Sequence, residues 1–191
     1  MKRRGEANAP YIMPGRANEI LEKLAGGDRR SLGRSGEVVR DVLIDPSLFE
    51  TVFEGLFSPD SVVRMRAADA VEKITRERPD LLAPFKRQFI EQVAGIDQQE
   101  VRWHVAQMFS RLRLNKPERD AAADILLHYL TGRSRIVKTF ALQALTELAR
   151  KDPSLRECAR RALDEAVHTG SPAMRSRARK LLAGENWLNE E

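Results

Sequence analysis

Gly26 to Gly36 reads GGDRRSLGRSG, a glycine-rich basic loop whose composition suits the cradling of a phosphate. Its spacing does not deliver that chemistry. A phosphate loop needs G-x-x-x-x-G-K-[ST] between a strand and a helix, but no strand pattern precedes this loop and Arg34 stands where the lysine is required. The stretch reads as a flexible linker. Asp120, Asp124 and His128 fall at successive four-residue steps, so they share one helix face and could offer two or three ligands to a metal. A closed site needs ligands from a second element, and none is identifiable. His104, His128 and His168 lie on different expected helices without a cysteine or histidine at ligand spacing. Cys158 lies beside an apolar stripe, with no histidine or lysine placed to hold a thiolate, and reads as a small buried hydrophobe. No nucleophile elbow, dinucleotide glycine pattern or kinase signature occurs. A binding protein is expected rather than an enzyme, with no catalytic residue, cofactor or metal.

The elements that must carry any binding surface follow from a repeated pattern. From Val63, apolar or small residues recur at +4 (Ala67), +5 (Ala68), +8 (Val71) and +11 (Ile74), the stripe of an amphipathic helix. From Val101 the same offsets give Val105, Ala106, Phe109 and Leu112; from Val137 they give Ala141, Leu142, Leu145 and Leu148. From Met174 the match thins to Ala178 and Leu182. These starting positions lie 38, 36 and 37 residues apart, and Pro79, Pro117 and Pro153 each follow one of them by 16 residues. Proline at that place marks the first turn of a new helix. Each unit is thus a helix pair, its first helix carrying its own stripe: Leu48, Val52, Phe53 and Leu56; Leu82, Phe85, Phe89 and Val93; Ile125, Leu126, Tyr129 and Leu130; Leu155, Ala159, Leu163 and Val167. Such pairs bury their stripes by stacking on neighbours.

The runs Asp60-x-x-Val63-Arg64-x-x-Ala67-Ala68-x-Ala70-Val71 and, more loosely, Asp97-x-x-x-Val101-Arg102-x-x-Val105-Ala106 resemble the second helix of a HEAT repeat. The resemblance covers roughly residues 46 to 183. It implies an all-α, right-handed α-solenoid of stacked antiparallel helix pairs, about four to five repeats, with the first repeat irregular. The family spans scaffolds, transport adaptors, lyase subunits and nucleic-acid binders. The expected organisation is a mobile basic arm (1–16), one solenoid domain (17–183, its first helix near Ala17 to Ala25) and an acidic tail or cap (184–191). Tyr11, Ile12 and Met13 at one end, and Trp187 and Leu188 at the other, could cover the open helix faces.

Composition limits the partners. The chain is 42% apolar, 32% charged and 6% aromatic, with one cysteine and a formal net charge of +5. No stretch is long and apolar enough to span a bilayer, and the basic start lacks an apolar segment behind it, so no membrane association and a cytoplasmic location are expected. Residues 132 to 183 carry twelve Lys/Arg against five Asp/Glu, whereas residues 35 to 59 carry one against five. A basic C-terminal half suits an acidic or polyanionic partner, and it also suits solvated helix faces.

In a solenoid the second helices line the concave surface, and the residues opposite each stripe face the ligand. Offset +2 gives Met65, Trp103, Thr139 and Ser176; offset +3 gives Arg66, His104, Phe140 and Arg177. The candidate partner-binding row is therefore Met65, Arg66, Trp103, His104, Phe140 and Arg177. Trp103 and Phe140 also suit an alternative role, filling space between adjacent helices. Offset +1 gives Arg64, Arg102, Lys138 and Arg175, which the resemblance implies are paired with an Asp of a neighbouring repeat. Asp60 and Asp97 stand near that place, but Ser134 and Ser171 open the later copies, leaving Lys138 and Arg175 for an anion. Candidate anion-binding residues are Arg135, Lys138, Arg175, Arg179 and Lys180. The first functional expectation is a non-enzymatic scaffold or adaptor holding an acidic protein or peptide. The alternative is nucleic acid held through its phosphates, which the resemblance extends to DNA repair by glycosylases of this fold. Those place a carboxylate one turn from a concave tryptophan; one turn after Trp103 stands Gln107. A bilin-lyase role, also within the family, has no residue to carry it.

Overall fold

Residues 14–27 and 31–184 are described by a computed structural model, in which all regular structure is helical and no strand occurs among the described residues. The arm (1–13), residues 28–30 and the tail (185–191) lie outside it. Packing divides the chain at Ile74, where the sequence pattern suggested one domain over 17–183.

The first unit contains α1 (Pro14–Leu24), α2 (Ser35–Ile44), α3 (Phe49–Glu54) and most of α4 (Ser61–Glu77), with 3₁₀ turns at Pro46–Leu48 and Gly55–Phe57. Helix α1 begins at Pro14, three residues before the expected start near Ala17. Helix α1 packs on α2 and α3. Ile20, Leu24, Val38, Val42, Phe49, Val52, Phe53 and Leu56 are all at most 2% exposed, and burial of each aliphatic side chain contributes about 1.5–3 kcal/mol. Lys23 is nearly covered, yet it keeps its charge between Asp41 at 2.7 Å and Glu19 at 2.9 Å. The hydrogen bond it donates to Asp41, followed by that to Glu19, raises the ammonium pKa.

The second unit begins with a 3₁₀ turn (Pro79–Phe85), α5 (Lys86–Glu91) and another 3₁₀ turn (Val93–Gly95). Pro84, inside this stretch, explains why the expected first helix is broken, since an interior proline removes a donor and clashes with the preceding turn. The stripe survives the break: Leu82, Phe89 and Val93 are buried, and Phe89 meets Phe109 edge-on at 5.3 Å. There follow α6 (Gln99–Phe109), α7 (Lys116–Thr131), α8 (Arg135–Lys151), a 3₁₀ turn at Pro153–Leu155, α9 (Arg156–Thr169) and α10 (Pro172–Gly184). Helix α8 is the centre of this unit, packing on α6, α7, α9 and α10.

All stripe positions counted from Val63, Val101 and Val137 are buried. In the thinner copy the stripe shifts by one residue, to Met174, Ala178 and Leu181, leaving Leu182 half-buried. Asp-Pro-Ser-Leu starts a 3₁₀ turn in each unit. Asp45 accepts from the Ser47 amide and hydroxyl at 3.2 and 2.6 Å, and Asp152 from those of Ser154 at 3.0 and 2.7 Å. An arginine holds the other carboxylate oxygen, Arg16 for Asp45 and Arg119 for Asp152.

Candidate functional site

Helix α8 packs on both α6 and α10, and this sets which of their side chains meet. Trp103 on α6 and Phe140 on α8 are neighbours, with ring centroids 5.5 Å apart in an edge-on arrangement. Both are half-buried, so they fill space between adjacent helices and still present a surface. Beside Phe140 runs a polar chain: Arg177 on α10 donates to Gln143 Oε1 at 2.9 Å, and Gln143 donates to Glu147 at 2.6 Å. Phe140, Gln143, Glu147 and Arg177, with Gln107, line a groove of about 310 Å³, and Trp103 stands next to it against Phe140. Gln107 donates to the Trp103 carbonyl at 3.3 Å, so an amide occupies the place one turn after the tryptophan. Ile136, 40% exposed, extends the apolar surface on the other side of Phe140.

Three residues of the expected row do not form a surface. Met65 is 5% exposed, Arg66 2% and His104 4%. His104 lies under its neighbour, its ring 4.4 Å from that of Trp103. Arg66 projects from α4 into the glycine-rich loop, where its guanidinium donates to the carbonyls of Leu24, Ala25 and Gly26 at 3.0, 2.9 and 2.5 Å and to that of Ser31 at 3.2 Å. Gly26 and Ser31 of the supposed linker thus join Leu24 and Ala25 in a carbonyl cage around the guanidinium. Gly33 has φ +52°, and a Cβ there would lie 2.7 Å from the Arg66 guanidinium carbon, so glycine is needed for both conformation and space. Next to the cage Ser35 donates to Asp69 at 2.9 Å, and Lys73 pairs with the same carboxylate at 2.8 Å.

Arg64 and Arg102, at offset +1, both reach back to the loop before their own helix. Arg64 donates to the Ser58 carbonyl at 2.7 Å and Arg102 to that of Ile96 at 3.1 Å, each reaching six residues back. Arg102 also pairs with Asp97 of its own loop at 3.0 Å and covers the Tyr129 ring at 5.6 Å. The Asp97 that pairs with Arg102 thus lies in the turn before its own helix, where the i−6 carbonyl is also within reach.

Two cavities of the second unit occupy equivalent repeat positions. Counted from Val101 and Val137, Asp97, Gln99 and Arg102 in the first match Arg133, Arg135 and Lys138 in the second; counted back from Val137 and Met174, Tyr129 and Ser134 match Ala166 and Ser171. Their volumes are about 500 and 400 Å³. The first is internally satisfied: Arg102 has its carboxylate and ring, and Ser134 donates to Gln99 at 3.1 Å. In the second, Asp97 is replaced by Arg133 and Tyr129 by Ala166. The side chains of Arg133, Arg135 and Lys138 make no hydrogen bond or ion pair among the described residues. Of the expected anion-binding residues, Arg135 and Lys138 are thus brought together, while Arg175, Arg179 and Lys180 stand on α10 outside this cavity's lining. Arg133 was missed because it lies in an interhelix loop; its signal is the reversal of charge at the position of Asp97.

The other chemistry-bearing residues singled out in the sequence stand apart. Asp120 pairs with Lys116, and Asp124 and His128 are exposed. Among the described residues no group of three or more His, Cys, Asp or Glu side chains could hold a metal ion. Cys158 donates to the Leu155 carbonyl at 3.0 Å, and burial pushes its thiol pKa up, away from a reactive thiolate. No helix among the described residues is long and apolar enough to cross a membrane. No protein-family model matches the chain, and no curated protein matches it.

Proposed function

We propose that this chain is a non-enzymatic helical-repeat scaffold, a HEAT-like right-handed solenoid whose C-terminal helices hold an acidic protein segment on their concave side. The observation that carries the reading is the groove on α6, α8 and α10. A rigid aromatic step, Trp103 and Phe140, lies alongside the Arg177–Gln143–Glu147 chain. Aromatic and arginine side chains are the usual anchors of binding surfaces, and amides suit the backbone of an extended segment. The excess of basic residues over 132–183 favours an acidic sequence around those anchors. The 36- and 37-residue spacing of the stripes, with α6 on α8 and α8 on α10, supports stacked repeats.

A displayed peptide library tests the reading. Wild-type protein should enrich Asp/Glu-containing segments with an apolar residue, and Trp103→Ala combined with Phe140→Ala should lose that enrichment while keeping the helical circular dichroism signal. Equal enrichment by the variant would remove the groove from the account. The second reading, phosphate-backbone binding, draws on exposed Arg135, Arg179 and Lys180. It requires gel-shift binding of an oligonucleotide that weakens steeply with salt, and no binding at low salt would end it.

A further inference from the structure

We propose that the cavity lined by Arg133, Arg135 and Lys138 binds one phosphoryl group, as inorganic phosphate or a phosphomonoester. The argument starts from repeat equivalence. Where the preceding copy supplies Asp97 to neutralise Arg102, this copy supplies a second cation, Arg133, facing the same hollow as Lys138. Three cations line about 400 Å³, and Glu165 is the sole carboxylate among the lining residues, so the wall carries a formal charge of +2. Gathering like charges in a concavity is unfavourable until an anion enters, and the same geometry attracts one.

The remaining lining is suited to oxyanions. Helix α10, 13 residues long, begins at Pro172 with Ser171 before it, and both residues face the cavity. Its positive dipole end therefore adds to the three side chains. The Ser171 Oγ accepts from the Met174 amide at 3.4 Å and so keeps its own proton to donate from the same wall, whereas the Thr169 hydroxyl donates to the Glu165 carbonyl. Two of the cations are arginines, whose planar forks match phosphate oxygens in pairs. A compact dianion is favoured over a nucleic-acid strand, because Arg175, Arg179 and Lys180, which would extend a strand's track, do not line this cavity.

This inference is independent of the Trp103–Phe140 groove, and the test keeps the two apart. Inorganic phosphate and O-phosphoserine would be titrated calorimetrically into the full chain, its Arg133→Asp and Lys138→Gln variants, and the Trp103→Ala/Phe140→Ala variant. Either probe should bind the wild type, and the stronger one names the source. Both cavity variants should weaken binding by about tenfold or more, the expected scale for losing a charge-assisted contact, and the groove variant should match wild type. Absence of binding by both probes, affinity unchanged in both cavity variants, or a single-stranded oligonucleotide binding more tightly than both probes and equally to the Arg133→Asp variant would overturn the proposal. Arg133 is exposed in a loop, and Lys138→Gln supplies an independent variant if the charge reversal impairs folding.

Discussion

Arg66 in the first unit and Lys138 in the second both point into hollows lined by loop residues, but with opposite outcomes. Around Arg66 the chain supplies its own acceptors, the carbonyls of Leu24, Ala25, Gly26 and Ser31, and the guanidinium is 2% exposed. Around Lys138 the chain supplies two more cations and leaves the cavity open. A buried cation satisfied by backbone is part of the fold. One with no internal acceptor, held open to solvent by rigid helices, is available to a ligand. Residue type is the same class in both places, so the difference lies in what the neighbouring loop offers.

Breaking the satisfied side should cost most. Arg66→Ala strands several carbonyls and empties the cage, and it should lower stability by about 3–5 kcal/mol, the range for removing one partner from a buried charged network. Urea unfolding followed by circular dichroism reads that loss.

Asp152 provides a satisfied anion for the same contrast. The hydrogen bond from Ser154, followed by that from Arg119, holds its carboxyl down to about 2 from an ordinary 3.8. A depressed carboxylate contributes stability that is complete above the ordinary value and is lost as pH falls through the folded value. Asp152→Asn should therefore destabilise the protein at pH 7 and reduce the fall in stability between about pH 4 and pH 2, measured as melting temperature against pH.

The smallest effect belongs to the open side. Lys138→Gln should change stability by no more than about 0.5 kcal/mol, because it removes no internal partner. A large loss would place Lys138 with Arg66 as a structural cation and erase the contrast.

Much of this arrangement was legible in the sequence. Offsets from Val63, Val101 and Val137 named buried stripes correctly, because helix periodicity and apolar burial are local consequences of residue order. Trp103 and Phe140 also came together as offsets +2 and +3 of successive copies suggested. Arg66 failed for a physical reason: a helical wheel gives the direction of a side chain but not what fills that direction, and its acceptors lie 35 to 42 residues away. His104 failed similarly, covered by the large neighbour that gave its position interest. Arg133 was visible only by aligning the loops as well as the helices.

The most direct test of the contrast is side-chain NMR of the lysines and arginines during phosphate addition. The account predicts that the Lys138 ammonium and the Arg133 guanidinium resonances shift together and saturate, while Arg66 stays fixed. Shifts confined to Arg175, Arg179 and Lys180, or no saturable shift at Lys138, would contradict it.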